Sequence, residues 1–402
     1  MTSPSLVLYD DRKAREFAPF ALTRPLGAMR VGAALIADRW SAAAASPTVG
    51  YASSPHLTTF GVNDGDALPA TLDAGTIIAN ARCVIGVGVR LSDADAWVCG
   101  DTIAAVRLAQ PLHSEALHDG GVELASIAAR TTTKAKLDAH WLSGPDDIVR
   151  YHTEQLLRDT TAFAAAQRGD ATVRRADIGE HPVRVEAGAT IEPHVVFDTS
   201  AGPIVIGRHA RVAAFTRIAG PCYIGEYTEI LGGRISGSAI GEHCKIHGDV
   251  STSVFVGHAN KAHEGFVGHS IVGRWANLGA GTTTSNLKNS YGSVRIWSPS
   301  GDRDTGLTFL GSLIGDHAKL GIGTMLGTGT VIGAGANVFG TMRPPKRVPP
   351  FAWGDAPPYE TFSIDKFLDV AARVMQRRNV TLTPAKAERL RAAHALASRE
   401  SW

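Results

Sequence analysis

At 402 residues the chain exceeds one ordinary compact core, and 43 glycines beside only 7% aromatic and 19% charged residues favour a turn-rich architecture. A formal charge of +2, with no basic run interleaved with aromatics, excludes an electrostatic reader of nucleic acid. The opening MTSPSLVLYDDRK has no basic flank ahead of a long apolar core, and no stretch approaches a membrane span. A cytoplasmic protein with neither a nucleic-acid nor a membrane partner is therefore expected. Cys83, Cys99, Cys222 and Cys244 form no C-x-x-C pair, so neither a disulfide framework nor a zinc knuckle is supported.

Residues 1–144 alternate strand-like runs (SLVLYDD, GTIIANARCVIG, DAWVCG) with alanine-rich stretches such as RVGAALIADRWSAAAA, the grammar of an α/β domain. A helical linker is expected over 145–184, with PDDIVRYHTEQLLRDTTAFAAAQ as its helix.

From 185 to 342 the chain changes period. Ile206, Val212, Ile218, Ile224 and Ile230 recur every six residues, and Ile314, Leu320, Leu326, Ile332 and Val338 do so again. A helix needs apolar spacings of three and four and tolerates glycine poorly, so it is excluded. Six residues suit one flat face of a β-solenoid: a short strand with its aliphatic side chain inward, then a turn at glycine. Three faces give a coil of about 18 residues stacked at the inter-strand distance. Ile206 should then lie under Ile224, and Ile314 under Ile332. The register breaks near 196–205, and 287–309 leave the coil as a loop, where function commonly resides. Residues 343–402 open with the proline-rich PPKRVPPFAWGDAPP and continue as two amphipathic helices, begun by Ser363 and by Thr383-Pro384.

The hexapeptide pattern resembles the left-handed parallel β-helix of acyltransferases. Within it, NKAHEGFVGHSIVGRWANLGAGTTTSN resembles the acetyltransferase half of the bifunctional N-acetylglucosamine-1-phosphate uridyltransferase and glucosamine-1-phosphate acetyltransferase. The resemblance implies a homotrimer that uses acetyl-CoA. Aligned from Asn277-Leu278-Gly279-Ala280-Gly281-Thr282, the family's catalytic histidine falls on His263, and its sugar-contacting asparagines on Asn277 and Asn286. Two tyrosines of the family become Phe266 and Leu287. PFALTRPLGAMRVG resembles, more faintly, the Pro-Leu-Thr-x-x-x-Pro-Lys stretch of sugar nucleotidyltransferases, with Leu26 in place of the lysine. YDDRKAREF stands where that family has a glycine-rich nucleotide loop and supplies no glycine amides to cradle phosphate. A reduced domain that holds a nucleotide sugar, or only supports the solenoid, is expected, with Thr23, Arg24 and Arg30 as its ligand residues and Mg2+ needed only if it is active. The whole chain also resembles uncharacterised proteins that join such a short domain to a hexapeptide solenoid.

A histidine can take the proton of a sugar amine or hydroxyl as it attacks a thioester, which is the role implied for His263. An 18-residue coil sets 263 beside 281, so Gly279, Ala280 and Gly281 form a ledge for the thioester whose amides could hold the oxyanion. Lys261, Lys288, Arg295, Arg343, Lys346 and Arg347 are candidate partners for the anionic parts of a sugar phosphate or nucleotide sugar and of acetyl-CoA. His269 is expected to bond locally, and His243, His247, His258 and His317 to be surface polar positions. One alternative assigns His258 and His263, spaced H-x-x-x-x-H, to a zinc-dependent hydratase like the γ-class carbonic anhydrases, though no third ligand is evident. A non-catalytic scaffold is the other.

Overall fold

The computed structural model describes residues 5–61, 66–166, 171–340 and 342–399. Residues 167–170 of the expected linker lie outside the described residues.

The N-terminal α/β unit is built on the buried strand Leu6–Tyr9, which pairs in parallel with Thr48–Ala52 on one side and Ile77–Asn80 on the other. Thr102–Arg107 and Ala96–Cys99 extend the sheet in antiparallel fashion, and Lys134–Lys136 closes its edge. Helix Ile36–Ala44 turns Ile36, Ala37, Trp40 and Ala43 toward the sheet, where Trp40 Nε1 donates to the Cys83 carbonyl at 2.9 Å.

The hexapeptide segment is a three-faced β-solenoid. Face I carries strands such as Ile204–Ile206, Cys222–Ile224, Val254–Phe255, Ile271–Val272 and Leu313–Ile314, stacked in parallel. Face II carries Asn260–Lys261, Asn277–Leu278 and Lys319–Leu320, and face III carries Phe266–Gly268, Thr283–Thr284 and Met325–Leu326. Ile206 pairs with Ile224 and Ile314 with Ile332, as the period requires. The coil is not uniformly 18 residues, however. Tyr223 pairs with Ala239, Ala239 with Val254 and Val254 with Ile271, so the middle coils are 16, 15 and 17 residues long. The break near 196–205 is a longer coil, in which Val183 pairs with Ile204. It and the 287–309 excursion both leave from the edge joining face III to face I, here the third edge.

Face I differs from face II in a way that explains the assembly. Its strands read apolar on both sides, as in Val254-Phe255, Ile271-Val272 and Val331-Ile332, whereas face II alternates polar with apolar, as in Asn277-Leu278 and Asn337-Val338. A strand buried on both faces is uniformly apolar. Phe255, Val272 and Ile332 point into the solenoid core, while Val254, Ile271, Leu313 and Val331 join the core of the α/β unit. The 287–309 excursion leaves the coil as expected and packs on the α/β unit: beside its hairpin Arg295–Ile296 and Arg303–Asp304, Val294 and Ile296 are buried in the same α/β core.

The expected linker helix forms as Pro145–Arg150 and His152–Ala165, wedged between the two units. Its Leu156 packs with Ala33 and Ala239, and His152 Nε2 bonds the Gly237 carbonyl at 3.0 Å. Asp159, fully buried, pairs with the fully buried Arg39 and accepts the Ala33 amide at 2.8 Å. Helices Ile364–Gln376 and Pro384–Ala397 cover the solenoid's last coil through Phe351, Phe362 and Phe367, with Thr383 Oγ1 accepting the Lys386 amide as N-cap.

Asp159→Ala would leave the Arg39 guanidinium buried without its carboxylate, a loss worth about 3–5 kcal/mol. Urea denaturation should show that drop, whereas a surface carboxylate such as Asp365→Ala should change stability by less than about 1 kcal/mol.

Candidate functional site

The solenoid edges are made by turns, and each has its own chemistry. At the first edge, between faces I and II, an aromatic ring recurs two residues after a glycine, or directly after it at His258: His209, Tyr227, His243, His258, Trp275 and His317 all take positive φ, from 54° to 62°. Their rings stack from coil to coil, with His209–Tyr227 and Tyr227–His243 both at 4.9 Å and His258–Trp275 at 4.2 Å. Left-handed backbone is costly for non-glycine residues, and the stacking offsets it. His243, His258 and His317 were expected to be surface polar positions; they are rungs of this ladder. Burial pushes the His258 and His317 imidazoles down to about 3, helped at His258 by the Arg274 guanidinium.

The second edge, between faces II and III, holds His263. The Ala262-His263-Glu264-Gly265 turn stacks on Gly279-Ala280-Gly281-Thr282, tied by the Gly281 amide donating to the Glu264 carbonyl at 2.9 Å. With the 17-residue coil between Asn260 and Asn277, His263 lies beside Ala280 rather than Gly281. Its side chain is exposed. Gly265 has φ +127° and would drive a Cβ into the Thr282 carbonyl, and Gly281 has φ +75°, so the ledge depends on glycine at both places. The amides of Gly279 and Gly281 are spent on Leu320 and Glu264. Ala280's amide makes no hydrogen bond among the described residues, so it is the ledge's open donor.

Lys261 was expected to meet a phosphate. Instead it is buried, and Nζ donates to the carbonyls of His247 at 2.6 Å and His263 at 2.9 Å, clamping the turn from inside. Burial lowers this amine to about 8. Lys319 does the same for Trp275 and His317, lowered to about 7.

The other sequence-predicted residues spread over the prism. Asn277 sits on face II, its Oδ1 accepting from Asn260 Nδ2 at 2.8 Å. Phe266 lies on face III near Asn286, whose amide bonds His269 Nδ1 at 2.8 Å. His269 is thus locally bonded as expected, and it also stacks on Phe309. Lys288 Nζ donates to the Ser293 carbonyl, and Arg295 is an exposed residue of the excursion hairpin. Lys346 and Arg343 are exposed; Arg347, on face I opposite the His263 edge, lies over the Trp297 ring at 4.3 Å. The structure therefore gathers His263, Ala280 and, along the two adjoining faces, Asn277 and Phe266, while Arg347 stands apart.

His258 and His263 occupy different edges, and His258 Nδ1 is engaged by Arg274 Nη2 at 2.6 Å, so the chain does not bring this pair together. Among the described residues no three His, Cys, Asp or Glu side chains converge as metal ligands.

Thr23, Arg24 and Arg30, the expected ligand residues of the α/β unit, are instead its ties to the solenoid. Thr23 Oγ1 and Arg24 Nε donate to Asp316 at 2.9 and 2.8 Å, and Arg30 pairs with Glu242 at 3.1 Å. Arg274 also pairs with Glu242, and the two arginines hold its carboxyl at about 2 against the opposing effect of burial. At the carboxyl ends of the parallel strands, where open α/β sheets take their ligands, lies a crevice of about 1000 Å³ lined in part by Arg12, Arg15, His56 and Arg399. Its acidic neighbours are committed: Asp10 accepts the Leu26 amide and Ser53 Oγ, while Asp11 binds Arg82 at 2.6 Å and Asn80 at 2.9 Å. Burial raises the Asp10 carboxyl to about 7. Leu26, standing where the related family has lysine, is buried, and its amide donates to Asp10.

The chain thus combines an α/β unit with a hexapeptide solenoid that carries an exposed histidine beside a glycine-rich ledge. Residues 6–168 match the family described as sugar nucleotidyl transferase. Over 141 residues the chain is 32% identical to the uncharacterized acetyltransferase YaiX of Escherichia coli O6:K15:H31 (strain 536 / UPEC), and 31% identical to the protein of Escherichia coli strain K12 that is likewise named an uncharacterized acetyltransferase YaiX. Each match takes 34% of this chain, which spans 61% of the relative's length. Among solved structures, a hexapeptide transferase family protein from Anaplasma phagocytophilum aligns with 55% of this chain and 93% of its own, at 13% identity and a TM-score of 0.25. No helix among the described residues is long and apolar enough to cross a membrane.

Two predictions follow from the edges. Lys261→Met removes the clamp and leaves two turn carbonyls without their donor, costing about 1–3 kcal/mol in urea denaturation. His317 is held neutral near 3, well below the ordinary imidazole value of about 6.5, so its stabilising contribution is complete above 6.5 and is lost as pH falls toward 3. The slope is up to about 1.4 kcal/mol per pH unit, and a comparison of urea midpoints at pH 7.5 and 5.5 should show a smaller drop for His317→Leu than for wild type.

Proposed function

We propose that the protein is an acyl-CoA-dependent transferase, with acetyl as the acyl group and the amino group of a sugar phosphate or nucleotide sugar as acceptor. The observation that carries this reading is the exposed His263 stacked beside Ala280, whose amide is the unspent donor of a side-chain-poor ledge. The similarity to proteins named acetyltransferases supports acyl transfer as the class of reaction.

In this mechanism the thioester lies along Gly279-Ala280-Gly281, which admits it because no side chain of any size stands there. The acceptor nitrogen attacks the thioester carbonyl while His263 takes its proton. Negative charge gathers on the carbonyl oxygen, where the Ala280 amide can donate to it. Collapse breaks the C–S bond, and the leaving thiolate recovers the proton from His263. Asn277 and Phe266, on the faces that meet at this edge, would orient the acceptor. Asn286, further along face III and turned toward His269, would join them only with its amide freed.

The same reading makes the protein a cytoplasmic homotrimer. Ile322, 82% exposed, and the exposed Met325 and Phe339 run along the second edge and its neighbouring face, an apolar strip that a second solenoid would cover. The α/β unit, with its strand-end carboxylates engaged and no glycine loop, supports the solenoid rather than transferring nucleotide.

Thiol release from acetyl-CoA across a panel of amino-sugar phosphates and nucleotide amino sugars tests the proposal. Wild type should release thiol with at least one acceptor, and His263→Ala should lower kcat about 10²- to 10⁴-fold. Because His263 is exposed, its melting temperature should stay near that of wild type. Equal rates in the two proteins would remove His263 from the chemistry.

A further inference from the structure

His247 and His263 stand on successive coils of the second edge, and one buried amine holds both. His247 lies at the corner where strand Lys245–Ser251 passes from face II to face III, its Lys245 beside Asn260 and its Asp249 beside Phe266. Lys261 Nζ donates to the carbonyls of His247 at 2.6 Å and of His263 at 2.9 Å, so the two corners are fixed against each other. Glu264, next to His263 and exposed, reaches back to the earlier coil, where its Oε1 is 3.3 Å from His247 Nδ1.

The two ring nitrogens of His247 are thereby made different. Nδ1 is buried without a formed hydrogen bond, and the Glu264 carboxylate is placed to supply one. The contact is looser than a finished bond, as those of catalytic groups commonly are before a ligand arrives. Nε2 makes no hydrogen bond among the described residues and is not buried. It lies against Gly232, where a Cβ would come within 2.8 Å of it, and Gly232 and Gly233 take φ of +138° and +93°. The corner of the preceding coil is thus a second surface free of side chains, on the side of His247 away from Gly279-Ala280-Gly281. The charged groups around His247 are Glu264 on the following coil, Lys261 beneath the corner, Asp249 beside Arg234 on face III, and Lys245, which Glu229 already pairs at 2.8 Å on face II. An imidazole with a carboxylate at one nitrogen and an open second nitrogen is arranged to take protons from outside.

The reaction proposed above has use for such a group. The amine of an amino sugar behaves like an α-amino group, with an ordinary value of about 8, so at pH 7 about nine-tenths of it is ammonium. An ammonium has no lone pair with which to attack. It must lose one proton beforehand and a second as the C–N bond forms, and only the second is assigned, to His263.

We propose that His247, oriented by Glu264, takes the first proton. This rests on the acyl-transfer reading and deepens it, adding a catalytic residue and defining the substrate as an amino sugar that arrives as a cation. The ammonium passes a proton to His247 Nε2, and the Glu264 carboxylate stabilises the imidazolium. The neutral amine attacks the thioester carbonyl, His263 receives the proton shed as the C–N bond forms, and the leaving thiolate recovers it when the C–S bond breaks. His247 returns its own proton to solvent, so one ammonium and one thioester give one amide, one thiol and one proton. The sugar ring would extend over Gly232 and Gly233, away from the thioester. A hydroxyl acceptor has a single proton to lose and no need of His247.

Thiol release is compared for wild type, His247→Ala, Glu264→Gln and His263→Ala at pH 7 and pH 9, with the amino sugar that wild type uses. Each ratio is taken against wild type at the same pH, because the Lys261 amine, lowered to about 8, titrates over this range in every variant. His247→Ala should lower kcat/KM about tenfold at pH 7, the free amine then being about one-tenth of the acceptor, and should match wild type at pH 9. Glu264→Gln, at an exposed position that folding does not depend on, should fall in the same direction by a smaller factor. His263→Ala should stay low at both pH values, since the second proton must leave whatever the pH. Added imidazole should restore His247→Gly at pH 7, which a structural role would not allow. Wild-type rates in His247→Ala at pH 7, a deficit that persists unchanged at pH 9, or release with hydroxyl acceptors only would each overturn this inference and leave His263 as base. No thiol release by wild type with any acceptor would remove the acyl-transfer reading itself, and this role with it.

Discussion

Three buried arginines of the α/β unit set the architecture. Arg39 meets Asp159 of the linker helix, Arg24 meets Asp316 of the solenoid, and Arg30 meets Glu242. A charge taken out of water is tolerated only against a well-placed partner, so each pair fixes one relative position of two chain segments that are otherwise joined by apolar contact. Apolar burial supplies the larger driving force here, through Val254, Ile271, Leu313 and Val331, but it is non-directional. The ion pairs supply register: they decide which coil of a repetitive surface the α/β unit sits upon.

That division of labour also separates the two candidate chemistries in space. The α/β unit covers face I, whereas His263 is on the edge opposite, so the acyl transfer proposed for His263 would need nothing from the α/β unit's strand ends. A carboxylate such as Asp10, satisfied by a backbone amide and Ser53, is typical of a site that has become structural.

The solenoid was legible in the sequence because an inward aliphatic residue every six positions is a physical necessity of a thin, flat-sided core. Its coil length was not, since the turns vary by one to three residues and the period alone does not reveal where. That single uncertainty moved the partner of His263 from Gly281 to Ala280. Lys261 was misread because a lysine in a glycine-rich turn has the same local signature whether it points outward to a phosphate or inward to carbonyls. Arg24 and Arg30 were read as ligand residues for the same reason: an arginine's partner can be nearly 300 residues away, as Asp316 is from Arg24. The ladder had a signal that went unused. Gly-Arg-His209, Gly-Glu-Tyr227, Gly-Glu-His243, Gly-Arg-Trp275 and Gly-Asp-His317 place an aromatic at the same point of successive turns, and stacked coils bring such residues into register. Likewise the doubly apolar strands of face I, set against the polar–apolar alternation of face II, already mark the side on which another unit must pack.

The third edge has a different significance from the other two. The 196–205 irregularity and the 287–309 excursion both depart there, whereas the first edge keeps its compact glycine turns from coil to coil. A stacked ring ladder with left-handed backbone leaves no slack for added residues, while the third edge already absorbs more than twenty. Growth and divergence of this molecule are thereby channelled to one line along its length, a seam where new loops can be acquired without rebuilding the coil.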